Sequence, residues 1–147
     1  MHIVIQRVRN ARLYCKERVV SEISKGLVVF VGFRNGDNES VASQLIKKVV
    51  NLRIFDDAQG KMNLSVLDIM GEILVVPNFT LVADLRKGNR PSFDNSLVPQ
   101  QAQPLFEQCR KMVEMSGVRT QTGIFGAHMV VEINNDGPVT FTLNSES

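Results

Sequence analysis

The chain has no tryptophan, one tyrosine, two histidines and two cysteines in 147 residues. So little cysteine excludes a disulfide framework, and Cys15 and Cys109 read as free, small hydrophobes in a reducing compartment. His2 and His128 lie far apart, with no Cys-x-x-Cys or His-x-x-x-His spacing, so no metal site is expected. No apolar run approaches the ~18 residues of a membrane span; the longest, Leu27–Val31, is the size of a strand. The first residues lack the basic start and long apolar stretch of a signal peptide, and a cytoplasmic location with no membrane partner is expected. Neither charge dominates: 17 basic and 15 acidic residues leave +2. That permits an anionic partner without demanding one, because domains built on phosphate contacts are usually far more basic. What remains, 44% hydrophobic and 22% charged residues, is the balance of one globular domain spanning 1–147.

The first third reads as strands. Ile3, Ile5 and Arg7 alternate onto one face, and Arg12–Lys16 and Arg18–Ile23 form a hairpin turning at Lys16-Glu17. Leu27–Phe33, apolar on both faces, is a central strand. Asn38 caps a helix from Glu39 to about Asn51, with Val41, Leu45, Val49 and Leu52 as its inward stripe. Arg53–Phe55 is a short strand before the polar turn Asp56–Gly60. Glu72–Leu81 is a strand interrupted at Pro77, which donates no ladder hydrogen bond and so belongs at an edge, a bulge or a strand end. After the basic loop Val82–Ser96, Pro99 opens a second helix that runs to Ser116, with Ala102, Leu105, Cys109, Met112 and Val113 inward and Gly117 as its stop. Val118–Thr122, His128–Asn134 and Val139–Leu143 complete the strands, the last two joined by a turn at Asn135-Asp136-Gly137-Pro138. The expected class is α+β: curved, barrel-like antiparallel β-sheets with two amphipathic helices packed on the outside.

Side-chain chemistry is sparse. There is no Gly-x-Ser-x-Gly elbow and no phosphate loop of the Gly-x-x-x-x-Gly-Lys type. Asp56 and Asp57 are paired carboxylates but fit a turn beside Gly60 more simply. His128 reads as a structural or rim residue before a general base. Thr80 is either a β-branched strand residue or, given a neighbouring base, a nucleophile. Arg86, Lys87 and Arg90 around Gly88 suit a solvated turn or a phosphate contact equally. The backbone is more informative: at Pro77-Asn78-Phe79-Thr80 an apolar strand ends, and amides released from the ladder there can face a cleft as an oxyanion hole.

Several segments in order carry a resemblance over nearly the whole chain: Ile5-Gln6-Arg7-Val8, Leu52-Arg53-Ile54-Phe55, Gly60-Lys61-Met62-Asn63, Phe79-Thr80-Leu81, Arg86-Lys87-Gly88, Arg90-Pro91-Ser92-Phe93, Thr122–Ala127 and Asn135–Thr140. They resemble the D-aminoacyl-tRNA deacylases, formerly called D-tyrosyl-tRNA deacylases. Of that family's two signatures, Asn-x-Gly-Pro-Val-Thr is intact at Asn135–Thr140, whereas Ser-Gln-Phe-Thr-Leu is altered, with Pro77 and Asn78 in place of Ser and Gln. Pro77 has no amide to offer, and Asn78 keeps a carboxamide one methylene shorter. A related animal deacylase with altered chiral selectivity also carries proline at the first of these positions, so relaxed stereospecificity stays open.

The resemblance implies a homodimer with no cofactor, hydrolysing the ester between a D-amino acid, or mischarged glycine, and the terminal adenosine of tRNA. It implies candidate catalytic residues Phe79, Thr80 and Asn78, acting chiefly through backbone amides and helped by the tRNA's own 2′-hydroxyl. It places a cis Gly137–Pro138 from one subunit in the other's pocket, where its carbonyls hold the α-ammonium and its shape rejects L side chains. Arg7 then fixes that turn, Phe125 and Met129 line an adenosine pocket, and Arg86, Lys87 and Arg90 contact the acceptor stem. Two other readings stand beside it: a nucleic-acid-binding module without hydrolysis, and a small-molecule esterase using Thr80.

Overall fold

The computed structural model describes residues 1–145. Strands β1 (His2–Cys15), β2 (Arg18–Ile23) and β3 (Gly26–Gly32) are followed by helix α1 (Glu39–Asn51) and a small pair, β4 (Phe55–Asp56) and β5 (Met62–Leu64). Strand β6 (Glu72–Pro77) leads through a 3₁₀ turn at Phe79–Val82 to helix α2 (Pro99–Met115), then to β7 (Arg119–Thr122) and β8 (Val130–Asn144). The main sheet runs β2-β1-β3-β6-β7, and β8 pairs along β1 from His2 to Tyr14, opposite the edge that β3 and then β2 occupy. Ser21 Oγ on β2 donates to the Thr122 carbonyl on β7 at 2.5 Å, drawing the two ends of the sheet towards a barrel.

The α+β class and the curved sheet hold, but the sheet is mixed. The β3–β6 and β6–β7 pairings are parallel, correcting the antiparallel expectation. Each joins strands separated by a helix-containing crossover, the connection that parallel neighbours require. β3 and β6 are buried almost throughout, as strands covered on both faces should be. Their alternate residues supply two cores. Leu27, Val29, Val31, Ile73 and Val75 face the helices with Ile3 and Ile5 of β1, while Val28, Leu74 and Val76 fill the barrel with Val8, Ala11 and Leu13. Alternation alone puts Val8 opposite Ile3 and Ile5, but Ala11 and Leu13 share Val8's core, so β1 shifts its alternation between Val8 and Ala11, at the irregularity before Asn10 in its pairing with β8.

Asn38 caps α1 as expected, its side chain accepting from the Val41 amide at 3.1 Å. The buried face of α1 is Ala42, Ile46, Val49 and Val50, about one position round from the expected stripe; Val41, Leu45 and Leu52 are only half-buried. The helix packs against α2 and shares its core with the sheet, so its buried line faces both. In α2, Phe106 joins the expected Ala102, Leu105, Cys109 and Val113 in the core, and Met112 is half-buried. Burial pushes the Cys109 thiol up to about 12, which suits a packing residue rather than a nucleophile. Among the described residues no helix is long and apolar enough to cross a membrane.

Two further expectations change. The strand at Glu72 ends at Pro77 rather than Leu81, because the chain turns at Asn78 into the 3₁₀ turn. The two expected C-terminal strands are one strand, β8, paired along β1, in which residues 136–139 loop out opposite Arg7 instead of making a hairpin turn.

Candidate functional site

The carboxyl ends of the parallel strands β3 and β6 open into a cleft of about 790 Å³. Open α/β sheets hold their ligands in such a place, outside the carboxyl edge of parallel strands. The floor is Phe30–Phe33 with Val76 and Pro77; one wall is Asn78–Thr80 with Phe93, and the other is Phe125–Met129. Among the described residues lining it, His128 is the single titratable side chain, and it is exposed. Asp56 and Asp57 lie elsewhere. Asp57 accepts amides from Gln59 and Lys61 in its own turn, which holds its carboxyl below the usual range, as turn chemistry predicts.

Asn78 donates its amide to the Val31 carbonyl at 2.8 Å, anchoring the start of the 3₁₀ turn to β3. Its side-chain oxygen folds forward and accepts both the Thr80 amide at 3.2 Å and the Thr80 hydroxyl at 2.5 Å. The sequence placed both the Phe79 and the Thr80 amides in an oxyanion hole; the Thr80 amide is already partnered. Among the described residues no acceptor is paired with the Phe79 amide. Phe79 is exposed, and its ring meets that of Phe93 at a centroid distance of 5.0 Å and a tilt of 60°. Such a tilted pair is a favoured aromatic geometry. Phe125 packs on Phe106 at 6.1 Å, and Met129 Sδ accepts the Ile124 amide at 3.3 Å, so both are half-buried wall residues with fixed positions.

Sequence reasoning missed Gly32 and Phe93 as parts of this site. A Cβ on Gly32 would meet the Asn78 carbonyl oxygen at 2.7 Å, so the 3₁₀ turn approaches β3 more closely than any side chain allows. Phe93 stood in a recognised segment, but nothing local ties it to Phe79.

Arg7, Gly137 and Pro138 do not line this cleft. The Gly137–Pro138 bond is cis, and both residues are exposed. The loop is braced at its base: Asn135 Oδ1 accepts the Val139 amide at 2.9 Å. Arg7, only 8% exposed, donates from Nε to the Asp136 carbonyl at 3.1 Å and from Nη1 to the Ile54 carbonyl at 2.8 Å. Its planar fork thus pins the looped-out residues to the body of the fold. Arg86, Lys87 and Arg90 are exposed on the loop beyond the 3₁₀ turn. Arg86 is committed to Asp84, with contacts of 2.9 and 2.6 Å, and the guanidinium brings the Asp84 carboxyl down to about 2.

Comparison with known proteins bears on this arrangement. A family described as "D-Tyr-tRNA(Tyr) deacylase" matches residues 4–144. A protein of Aquifex aeolicus named D-aminoacyl-tRNA deacylase is 48% identical over 145 residues, covering 99% of this chain and 98% of its own. One of the same name from Fervidobacterium nodosum is 47% identical over 146 residues, with the same coverage. Among solved structures, a "c-Myc DNA Unwinding Element Binding Protein" superposes with a TM-score of 0.92 at 34% identity, covering 98% of both chains. A probable eukaryotic D-amino acid tRNA deacylase gives 0.83 at 16% identity over 97% of both, a likeness of fold.

Proposed function

The chain belongs to the D-Tyr-tRNA(Tyr) deacylase family, and from that premise we propose that it hydrolyses the ester joining a D-amino acid, or mischarged glycine, to the terminal adenosine of tRNA. The observation that carries the reading is the open Phe79 amide at the mouth of a cleft otherwise short of acid–base side chains. An aminoacyl ester is already reactive, so positioning and charge stabilisation matter more than a strong nucleophile. The Phe79 amide receives the carbonyl oxygen as it becomes an oxyanion. The attacking water is oriented by the substrate's 2′-hydroxyl. The adenine lies between the Phe125–Met129 wall and the aromatic pair opposite.

Two protomers build each complete site. The Gly137–Pro138 loop, exposed and outside its own chain's cleft, enters the partner's, and its carbonyls hold the α-ammonium. With amine and carbonyl fixed, a D side chain points to solvent and an L side chain strikes the loop, so rejection works by clash. Lys87 and Arg90 meet the acceptor stem, and Arg86, held by Asp84, shapes their loop. Reversing both Lys87 and Arg90 to Glu should raise KM about tenfold and flatten the slope of log KM against log salt by about 1.5. An unaltered salt slope would remove them from the tRNA surface.

The structural match to a protein named for binding a DNA unwinding element supports a second reading, nucleic-acid binding without cleavage. Incubation with D-tyrosyl-tRNA and L-tyrosyl-tRNA separates the two: the deacylase releases D-tyrosine selectively, whereas the binding module retains both esters. Thr80→Ala keeps the backbone amide and removes the hydroxyl. Its deacylation rate should fall by less than about tenfold, while complete loss would make Thr80 the nucleophile.

A further inference from the structure

We propose that the Asn78 carboxamide is a removable cap on the reaction centre, occupying the Thr80 amide in the resting enzyme and yielding it only to the transition state. The proposal rests on the deacylase reading above and adds a positioning residue to it. Asn78 Oδ1 holds the Thr80 amide at 3.2 Å and the Thr80 hydroxyl at 2.5 Å, while the adjacent Phe79 amide is open. The two amides are consecutive and sit at the first turn of a 3₁₀ helix, so an oxygen that reaches one is close to the other.

The competition for the Thr80 amide decides when it is used. A ground-state ester carbonyl and the Asn78 carbonyl are both neutral acceptors, so the bound substrate has no advantage with which to displace the cap. As the water oxygen bonds to the carbonyl carbon its proton passes to the 2′-hydroxyl, which hands one to the 3′-oxygen when that oxygen departs; the carbonyl π pair meanwhile becomes a negative charge on the substrate oxygen, and hydrogen bonds to charged acceptors are roughly twice as strong as neutral ones. The oxyanion therefore wins the amide, and the Asn78 side chain rotates into the open cleft that it lines. The cap thus keeps the amide from tightening substrate binding, and the transition state gains the difference between a charged and a neutral hydrogen bond. The short Asn side chain closes this local ring naturally, by bonding to the backbone two residues on.

The tests are two substitutions read by kinetics, by melting and by binding of an unreactive analogue, D-tyrosine linked through an amide to 3′-amino-adenosine. In Asn78→Ala the Thr80 amide is open from the start. The analogue carbonyl then gains a second donor, and its Kd should fall about fivefold, as for one neutral hydrogen bond. KM should fall to a similar degree, so that kcat/KM rises. A residue that only stiffens the turn gives the opposite, a raised KM and weaker analogue binding, and that result overturns the proposal. Asn78→Asp provides a variant whose fold is secure, because Asp caps a turn as well as Asn does. Its charged oxygen grips the Thr80 amide more firmly and repels the oxyanion, so kcat should fall about a hundredfold with Tm retained. Wild-type kcat in Asn78→Asp would overturn the cap while leaving the deacylase reading intact. That reading fails separately, if the unaltered protein does not release D-tyrosine.

Discussion

Replacing Gly32 with alanine is expected to lower kcat for D-tyrosyl-tRNA by about a hundredfold, although Gly32 offers no side chain to the substrate. The new Cβ would stand 2.7 Å from the Asn78 carbonyl oxygen, 3.0 Å from Leu81 Cβ and 3.3 Å from Val82 Cγ1. The first of these is backbone and cannot swing aside, so the 3₁₀ turn must move away from β3. Asn78 loses its anchor on the Val31 carbonyl, and the Phe79 amide leaves the place proposed for the oxyanion. A displacement of about 1 Å at reacting groups costs roughly 10²-fold in rate. Overpacking of this kind costs about 1–3 kcal/mol of stability, or roughly 3–9 °C of Tm in a chain of this length. The enzyme thus stays folded at 25 °C and the rate loss can be measured. An active Gly32→Ala enzyme with an unchanged Tm would mean that the turn has room the structure does not show.

The second large effect is at Arg7. Arg7→Lys should abolish most of the discrimination between D- and L-tyrosyl-tRNA, by about tenfold or more, while leaving D-tyrosine release within a few-fold. The guanidinium reaches the Asp136 and Ile54 carbonyls at once, and an ammonium on a flexible stem cannot span that geometry. The loop bearing Gly137 and Pro138 then loses one of its braces, and under the proposed two-protomer site it should relax enough to admit an L side chain. Arg7→Ala goes further: the buried Ile54 carbonyl loses its donor at a cost of about 2 kcal/mol, and Tm should fall by roughly 4–8 °C. Paired rate measurements on the two mirror-image esters, with melting curves, check both variants. Unchanged selectivity in Arg7→Lys would uncouple the loop from chirality.

Local preferences are legible in the sequence, and long-range demands are not. The Asn38 cap, the Glu39–Asn51 span and the Lys16-Glu17 hairpin turn follow from residue preferences within a few positions, and all three are present. The parallel pairing of β3 with β6 depends on which strand a crossover returns to, which no window of sequence records. Gly32 is similar: its lack of a side chain serves a carbonyl 46 positions later, so its own neighbourhood reads as plain strand. At Asn78 the sequence signalled irregularity through Pro77, but the choice between an extended end and a 3₁₀ turn lay in a side-chain bond two residues forward. Alternation puts Arg7 on the face of Ile3 and Ile5, as the β3 register has it, while its partners at 54 and 136 depend on the folded chain.

The link between Ser21 and Thr122 gives the barrel a weak point with a definite address. A ladder would lock the two edges through several backbone bonds, whereas among the described residues the Ser21 hydroxyl clasps them. Hydrogen exchange is expected to find the ring opening first at that clasp, wetting Ile23 and Leu74 inside. The 3₁₀ turn after β6 is tied to β3 through the Asn78 amide and the Val31 carbonyl, so it should keep its place while that gap opens.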